Sequence, residues 1–422
     1  MSKKTLVEKI LASASGKKEV SPGEIVTAKI DFLMGHDGTA SLCIDKYDEF
    51  KKLLNASPVF DKSKVLAVFD HFCPPATVER ADIQKKFLDF VKREQFDYSL
   101  YEGICHQLLA EHPAVSPGKV ILGADSHTVT AGALGAFATG VGSSDFLYAL
   151  IKGNNWFKVP STYKIRFVGE MPVYIQGKDL ALEILRLFGE SGAVYKALEY
   201  HDETTNKVSM DSRLTISNMS VETGAKAGIF NPDEITQKCV TEKGGKFRPV
   251  YADEDAHYEK EYIIDVSCLE PLIALPHSPA NVKKVSEVEG IQIDQIYLGS
   301  CTGGRLEDLI SAAKILKGHQ PKRGIKIIVI PSSRKVYLSA LQEGCLTDLI
   351  KKGMTISNPS CGPCCNIDKG LLGDKEKAVS TSNRNFPGRM GSYGSEVYLA
   401  SSLTAAASSI TGEITNPKRY LR

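Results

Sequence analysis

No stretch of this chain stays apolar for long. Its longest hydrophobic runs, such as Ile327 to Ile330, suit buried strands and fall far short of the roughly 20 residues that span a bilayer. A targeting segment is also missing. Met1 to Leu11 has no apolar core and no small-residue cleavage site, and reads as a short amphipathic helix. An excess of one charge sign is absent: 52 Lys and Arg against 50 Asp and Glu leave a formal +2, well interspersed. No long-range field therefore gathers nucleic acid or an anionic membrane, and any bound anion must be held by a few placed groups. Secretion signals are lacking while ten cysteines are present at uneven spacing. They read as free thiols and ligands of a cytosolic protein, not as a disulfide framework. Internal repeats and low-complexity tracts are absent too.

What is present is an α/β pattern long enough for about two to four domains. Apolar β-branched runs alternate with amphipathic helices. Val65 to Phe69 reads as a buried strand ending at Asp70-His71, and Val120 to Ala124 as another ending at Asp125-Ser126-His127. Ile293 to Leu298 runs into Gly299-Ser300-Cys301, and a helix follows, so Cys301 is expected near a helix N-terminus where a thiolate is favoured. Ligands of open α/β sheets gather outside strand carboxyl ends, so these placements are functional in kind. A fresh alternating strand opens at Tyr163, positions 270–290 read as a linker, and the Ser/Ala-rich run Leu399 to Ile410 has helical composition.

Three cysteines in two motifs carry the strongest chemical signal: Cys301 in Leu-Gly-Ser-Cys-Thr, and Cys361 with Cys364 in Cys-Gly-Pro-Cys. A closed four-cysteine site stores electrons, whereas three protein ligands leave a metal open to substrate. The pair alone also suits a dithiol redox centre or half a zinc site, so a thiol oxidoreductase remains an alternative from another class. Cys43, Cys239, Cys268 and Cys345 read as small packed hydrophobes. Four of the nine histidines fall in carboxylate settings before position 130: His36 beside Asp37, His71 beside Asp70, His127 near Asp125, and His106 after Glu102. A carboxylate beside an imidazole sets its tautomer and raises its basicity, as a general acid at neutral pH requires. Arg384 and Arg389, in a loop rich in Asn, Ser and Gly, are candidate carboxylate forks. The glycine-rich stretch from Thr130 matches no nucleotide motif and reads as close helix packing.

Taken in order, these motifs resemble the aconitase superfamily, in particular the large subunit of the two-subunit 3-isopropylmalate dehydratase and homoaconitase type. The likeness runs from about Asp31 to Arg389. It includes Asp-Gly-Thr-Ala at 37–40, Phe-Asp-His at 69–71, Cys-His-Gln at 105–107, Gly-Ala-Asp-Ser-His-Thr at 123–128, Gly-Ser-Cys-Thr at 299–302, Cys-Gly-Pro-Cys at 361–364, and Ser-Asn-Arg-Asn-Phe with Gly-Arg at 382–389. The resemblance implies one 4Fe-4S cluster per chain held by Cys301, Cys361 and Cys364, with an open iron as Lewis acid. It implies the pairs Asp70 with His71, Asp125 with His106, and Glu222 with His127, His71 being the acid that protonates the departing hydroxyl. His36, Ser126, Asn218, Asn383, Arg384 and Arg389 fall at substrate-binding and cluster-adjacent positions.

The implied activity is a hydro-lyase acting on a 2-hydroxy dicarboxylic acid: isomerisation of 2-isopropylmalate to 3-isopropylmalate in leucine biosynthesis, with homoaconitate, 2,3-dimethylmalate or citramalate as alternatives. The implied architecture is three α/β domains, 1–162, 163–288 and 289–422, meeting at the cluster, without the swivelling fourth domain that carries the family's catalytic serine. Since the sequence stops at Arg422, a separate small subunit is expected, in a heterodimer or heterotetramer. An RNA-binding role is disfavoured by the near-neutral charge. Two positions depart from the family pattern: Gly303, where Asn is common, and Cys365, where an aliphatic residue is common.

Overall fold

The structure, a computed structural model, describes residues 3–55 and 60–421. The N-terminal helix begins at Leu6, capped by Thr5 with Glu8 returning the bond, and runs to Ser15; Met1 and Ser2 of the expected helix, and Arg422, lie outside the described residues.

Each of three larger sheets serves a different part of one site. The first is parallel throughout, in the order Asp97–Leu100, Val65–Phe69, Phe32–His36, Val120–Gly123, Phe137–Gly140. Val65–Phe69 and Phe32–His36 are buried at every position, which explains their unbroken apolar character: helices cover both faces of a parallel sheet, so no face alternates to solvent. After Phe32–His36 the chain adds strands on one side, then returns to add Val120–Gly123 on the other. The order reverses there, and a crevice opens at the carboxyl ends of those two strands. His36 closes one of them and Asp125 follows the other. A two-stranded antiparallel ribbon, Ile25–Lys29 with Asn154–Lys158, flanks this unit.

The second sheet is also parallel, ordered Ala227–Phe230, Ala197–Thr204, Thr162–Gly169, Lys260–Asp265. Its helices Gly177–Phe188 and Met210–Met219 bring Lys178 and Asn218 forward, and the 3-10 turn Ser220–Thr223 brings Glu222. The third sheet has seven strands: Val282–Lys284, Leu272–Ala274, Glu396–Ala400, Lys377–Ser380, Gln295–Leu298, Lys326–Val329, Thr355–Ile356. It is parallel except that Leu272–Ala274 runs against both neighbours. Its order reverses between Gln295–Leu298 and Lys377–Ser380, the strands that lead to Cys301 and to Asn383. Two reversal crevices, one per sheet, thus supply the two walls of the site.

The core of the second sheet is continuous with one face of the third: Phe167, Tyr200 and Phe230 belong to the same apolar cluster as Tyr297 and Leu399. Each such side chain, wholly removed from water, contributes about 1.5–3 kcal/mol, so the two sheets hold each other in register without a covalent link.

Two local expectations differ from the structure. Residues 270–290 are not a linker, since Leu272–Ala274 and Val282–Lys284 are strands of the third sheet. Leu399 and Ala400 finish a buried strand, and the helix of the Ser/Ala-rich run is Ser402–Thr411, capped by Ser401. The glycine-rich stretch from Thr130 begins in a 3-10 helix, Ser126–Leu134, packed against Met210–Met219 and the strand Ala227–Phe230, and continues into the strand Phe137–Gly140 of the first sheet. No helix among the described residues is long and apolar enough to cross a membrane.

Candidate active site

On the wall formed by the first sheet, Asp125 is the hub. Its carboxylate takes His106 Nε2 at 3.0 Å, His36 Nε2 at 3.4 Å, His127 Nδ1 at 3.4 Å and the backbone N–H of His127 at 2.7 Å. His127 Nε2 stands 2.7 Å from Glu222 Oε1, which arrives from the second sheet. His71 Nδ1 lies 2.8 Å from Asp70 Oδ1, so its Nε2 is left to face Cys365 and the crevice. Asp70 Oδ2 accepts the N–H of Cys105 at 2.7 Å.

The tautomer of His36 follows from its neighbours. Gly38 N–H donates to Nδ1 at 3.2 Å, so the neutral ring carries its proton on Nε2, 3.1 Å from Thr39 Oγ1, whose own proton goes to Ala124 O at 2.7 Å. The rings of His36 and His71 stack, with centroids 4.0 Å apart and 4° between planes. A Cβ at position 38 would lie 2.9 Å from His71 Cδ2, so a glycine is what lets these rings come together.

The neighbouring residues His36 and Asp37 do not pair as the sequence suggested. Asp37, fully buried, turns away from His36 and accepts the N–H groups of Asp70, His71 and Phe72 at 3.3, 3.0 and 3.1 Å, plus Gln84 Nε2 at 3.1 Å. It shapes the loop that presents His71. Glu102 likewise is no partner of His106; it is exposed and pairs with Arg334 at 3.4 Å.

Charge is distributed unevenly among these groups. Burial opposes ionisation of Asp70, but the adjacent His71 outweighs it and holds the carboxyl well below the usual range. His71 is pulled down by burial and driven well above an ordinary histidine by Asp70 and Cys365. At His106 burial prevails over Asp125, keeping the ring below its ordinary value, whereas His127 is raised because hydrogen bonds to Asp125 and Glu222 outweigh burial. Environments that push like groups apart are how one site obtains both a proton donor and a neutral partner near pH 7.

Opposite stand the cysteines, all ten of which are free. Ser300, at φ 74°, bends the backbone so that Cys301 points inward, and its Oγ lies 3.7 Å from both Cys301 Sγ and Cys364 Sγ. Asn218 Nδ2 and Asn383 Nδ2 donate to Cys301 Sγ at 3.2 and 3.5 Å, and Cys361 Sγ lies 3.8 Å from Asp70 Oδ2. The helix after Cys301 begins only at Leu306, so the dipole is remote, and burial pushes the Cys301 thiol up to about 11. Cys268, expected to pack as a hydrophobe, is exposed.

The donor set fits a cluster. Buried sulfurs ringed by amide N–H donors and by an Arg389 Nε without a partner are what an anionic iron–sulfur group needs. A tighter group is His71, Cys361 and Cys365, whose ligand atoms lie within 4.8 Å of one another, a spacing for a single ion. The set the resemblance implies, Cys301, Cys361 and Cys364, is a different one: Cys301 and Cys364 meet through Ser300 Oγ, and Cys365 lies beside His71.

The arginines divide. Arg384 grips Glu222 through Nε at 2.8 and 2.9 Å and reaches Ser126 Oγ at 3.2 Å, while Arg389 lies by Cys364, Cys365 and Cys361. Gly303 has a local cause: a Cβ there would overlap Thr381, whose hydroxyl takes Gly299 N–H at 2.9 Å and closes the Cys301 loop. Sequence reasoning missed the anchoring role of Asp37, as well as Gln84, Lys178 and Arg305. A lysine at position 178, at the start of a strongly amphipathic helix, was the available signal, since that end disfavours a cation.

Comparison with known proteins follows the same outline. The profile of the aconitase family (aconitate hydratase) matches residues 8–290 and 281–412. The chain is 48% identical over 421 residues to 3-isopropylmalate dehydratase large subunit 1 of Methanopyrus kandleri, covering 99% of this chain and 100% of that one. It is 45% identical to large subunit 2 of Archaeoglobus fulgidus and 46% identical to large subunit 1 of Thermotoga maritima, each over 99% of this chain and 100% of the other. With the profile and these full-length relatives in agreement, the chain belongs to the aconitase family.

Proposed function

We propose that this chain is the large, cluster-bearing subunit of a cytosolic hydro-lyase that converts 2-isopropylmalate to 3-isopropylmalate, in leucine biosynthesis, with a separate small subunit as partner. The observation that carries the reading is the convergence of three histidine–carboxylate pairs on three cysteines across one crevice. Full-length likeness to 3-isopropylmalate dehydratase large subunits supports the substrate and the partner.

Cys301, Cys361 and Cys364 would hold one 4Fe-4S cluster, which when bound supplies a Lewis acid for a substrate carboxylate and hydroxyl. His71, kept protonated by Asp70, delivers its Nε2 proton to the departing hydroxyl. His106 on Asp125 and His127 on Glu222 hold water and substrate in place. Arg384, fastened to Glu222 and to Ser126, and Arg389, with its unpaired Nε, neutralise carboxylates, and Ser126, Asn383, Asn218 and His36 complete the lining. A strong base for the weakly acidic C–H would come from the small subunit.

The test is iron and sulfide content of the anaerobically prepared chain, with and without small subunit and 3-isopropylmalate, alongside Cys301→Ser. About four irons per chain, partner-dependent alkene absorbance, and loss of iron in the variant are expected. A colourless chain that cannot be reconstituted overturns the cluster. Iron without turnover overturns the substrate, and a Cys301→Ser chain with full iron removes Cys301 from the ligands.

A further inference from the structure

A lysine is out of place in the first turn of a helix, where the free N–H groups already carry partial positive charge, and lysines are seldom wholly buried. Lys178 breaks both rules: it is the second residue of Gly177–Phe188 and is only 3% exposed. Its ammonium donates to Thr302 Oγ1 at 3.0 Å, Thr381 O at 2.9 Å and Ser382 O at 2.8 Å, so all three protons go to neutral oxygens. The adjacent Asp179 faces elsewhere, accepting the N–H groups of Gln176 and Leu272 at 2.9 Å each. Burial pulls the ammonium down to about 8, against the opposing charge of Asp308, Cys301 and Cys364.

The oxygens Lys178 chooses are not scattered. Thr302 follows Cys301, and Thr381 with Ser382 precedes Asn383, whose Nδ2 donates to Cys301 Sγ. Thr302 Oγ1 donates in turn to Thr381 O at 2.8 Å. One side chain from the second sheet thus ties together two loops of the third. A second fully buried cation, Arg305, also bonds to neutral groups, Gln107 Oε1 at 3.0 Å and Thr215 Oγ1 at 2.9 Å, with its Nη2 unpaired. A buried cation without a salt-bridge partner is costly. Asp308 gives the largest opposing charge at Lys178, but burial pushes its own carboxyl up to about 7, so a further counter-charge is called for nearby.

We propose that Lys178 is a positioning residue for the cluster: it provides the fixed positive charge behind the Cys301 and Cys364 arms and locks the Cys301 loop to the loop that presents Asn383. This rests on the cluster reading above. An anionic cluster bound there gains from the charge, and gains more when reduced by one electron, because the added negative charge meets a cation in a poorly screened interior.

The experiment uses the full chain with its small subunit, reconstituted anaerobically, as wild type, Lys178→Gln and Lys178→Met. Read out are irons per chain, the cluster's midpoint potential by redox titration with electron paramagnetic resonance, and the rate of iron loss in air. Both neutral variants are expected to take up the cluster, to titrate at a more negative potential than wild type and to lose iron faster. If the Met chain fails to fold, Gln, which keeps a donor without the charge, carries the test. Equal potentials in wild type and the neutral variants overturn the proposal, as does a shift in Met that Gln does not share, which would mark lost hydrogen bonds alone. A wild-type chain that takes up no iron overturns the cluster reading itself, and this inference with it.

Discussion

Replacing Asp37 by Asn tests whether a buried carboxylate shapes the His71 loop. Its Oδ1 accepts from the N–H groups of Asp70 and His71 and its Oδ2 from Phe72 N–H and Gln84 Nε2, at 3.0 to 3.3 Å. Asparagine has one carbonyl oxygen, so whichever way the amide turns, two of these four donors face an N–H group. Losing a hydrogen bond to a charged partner costs about 1.5–3 kcal/mol, which puts the pair at about 3–6 kcal/mol. For a chain of 422 residues the entropy of unfolding is about 0.9 kcal/mol/K, so the melting temperature should fall by about 3–7 °C. The assay is calorimetry or circular dichroism on cluster-free chains at matched concentration, which removes the stabilisation that bound cofactor adds. In the reconstituted enzyme, iron content should be unchanged while dehydration drops, because His71 is displaced and no cysteine is touched. A melting shift under about 1 °C with full activity would refute the reasoning.

Glu222→Gln breaks a buried contact with His127 and Arg384 and should cost about 3–5 kcal/mol at pH 7. Burial raises the Glu222 carboxyl, but His127 and Arg384 win and depress it below 4.5, so its contribution is complete above pH 4.5 and is lost as pH falls through the depressed value. The gap in melting temperature between variant and wild type should therefore shrink below pH 4.5; a gap that widens there contradicts the assignment. Gly303→Ala forces a methyl against Thr381 and should destabilise the Cys301 loop by about 1–3 kcal/mol, read as faster iron loss; iron retention equal to wild type would count against the packing argument. His71→Ala should leave iron content intact and lower dehydration by about 100-fold or more, and an unchanged rate removes its role as acid.

Much of this was legible along the chain. Fully buried parallel strands announce themselves as unbroken β-branched runs, and both Val65–Phe69 and Val120–Gly123 lead directly into their Asp and His residues. The short antiparallel strands Leu272–Ala274 and Val282–Lys284 were not legible, because three residues give no periodicity and the surrounding prolines look like a linker. Nor was the partner of His36. Adjacency pointed to Asp37, but successive residues at a strand end face opposite ways, and the carboxylate that reaches His36 comes from position 125, three strands later in sequence and neighbouring in space.

What the sequence determined by itself was the chemical inventory: three cysteines in two motifs, histidines and carboxylates at strand ends, arginines in a polar loop, and a family pattern that orders them. Residue type and local period are written along the chain, so those features needed no coordinates. The tertiary structure alone decided the pairings. Asp37 holds backbone, not a histidine; Arg384 serves Glu222 and Arg389 the cysteines; Cys365 lies against His71; and Lys178 reaches from one sheet into the loops of another. These are contacts between residues tens to hundreds of positions apart, brought together only when two sheet crevices close on each other, and no local rule of propensity or spacing encodes that meeting.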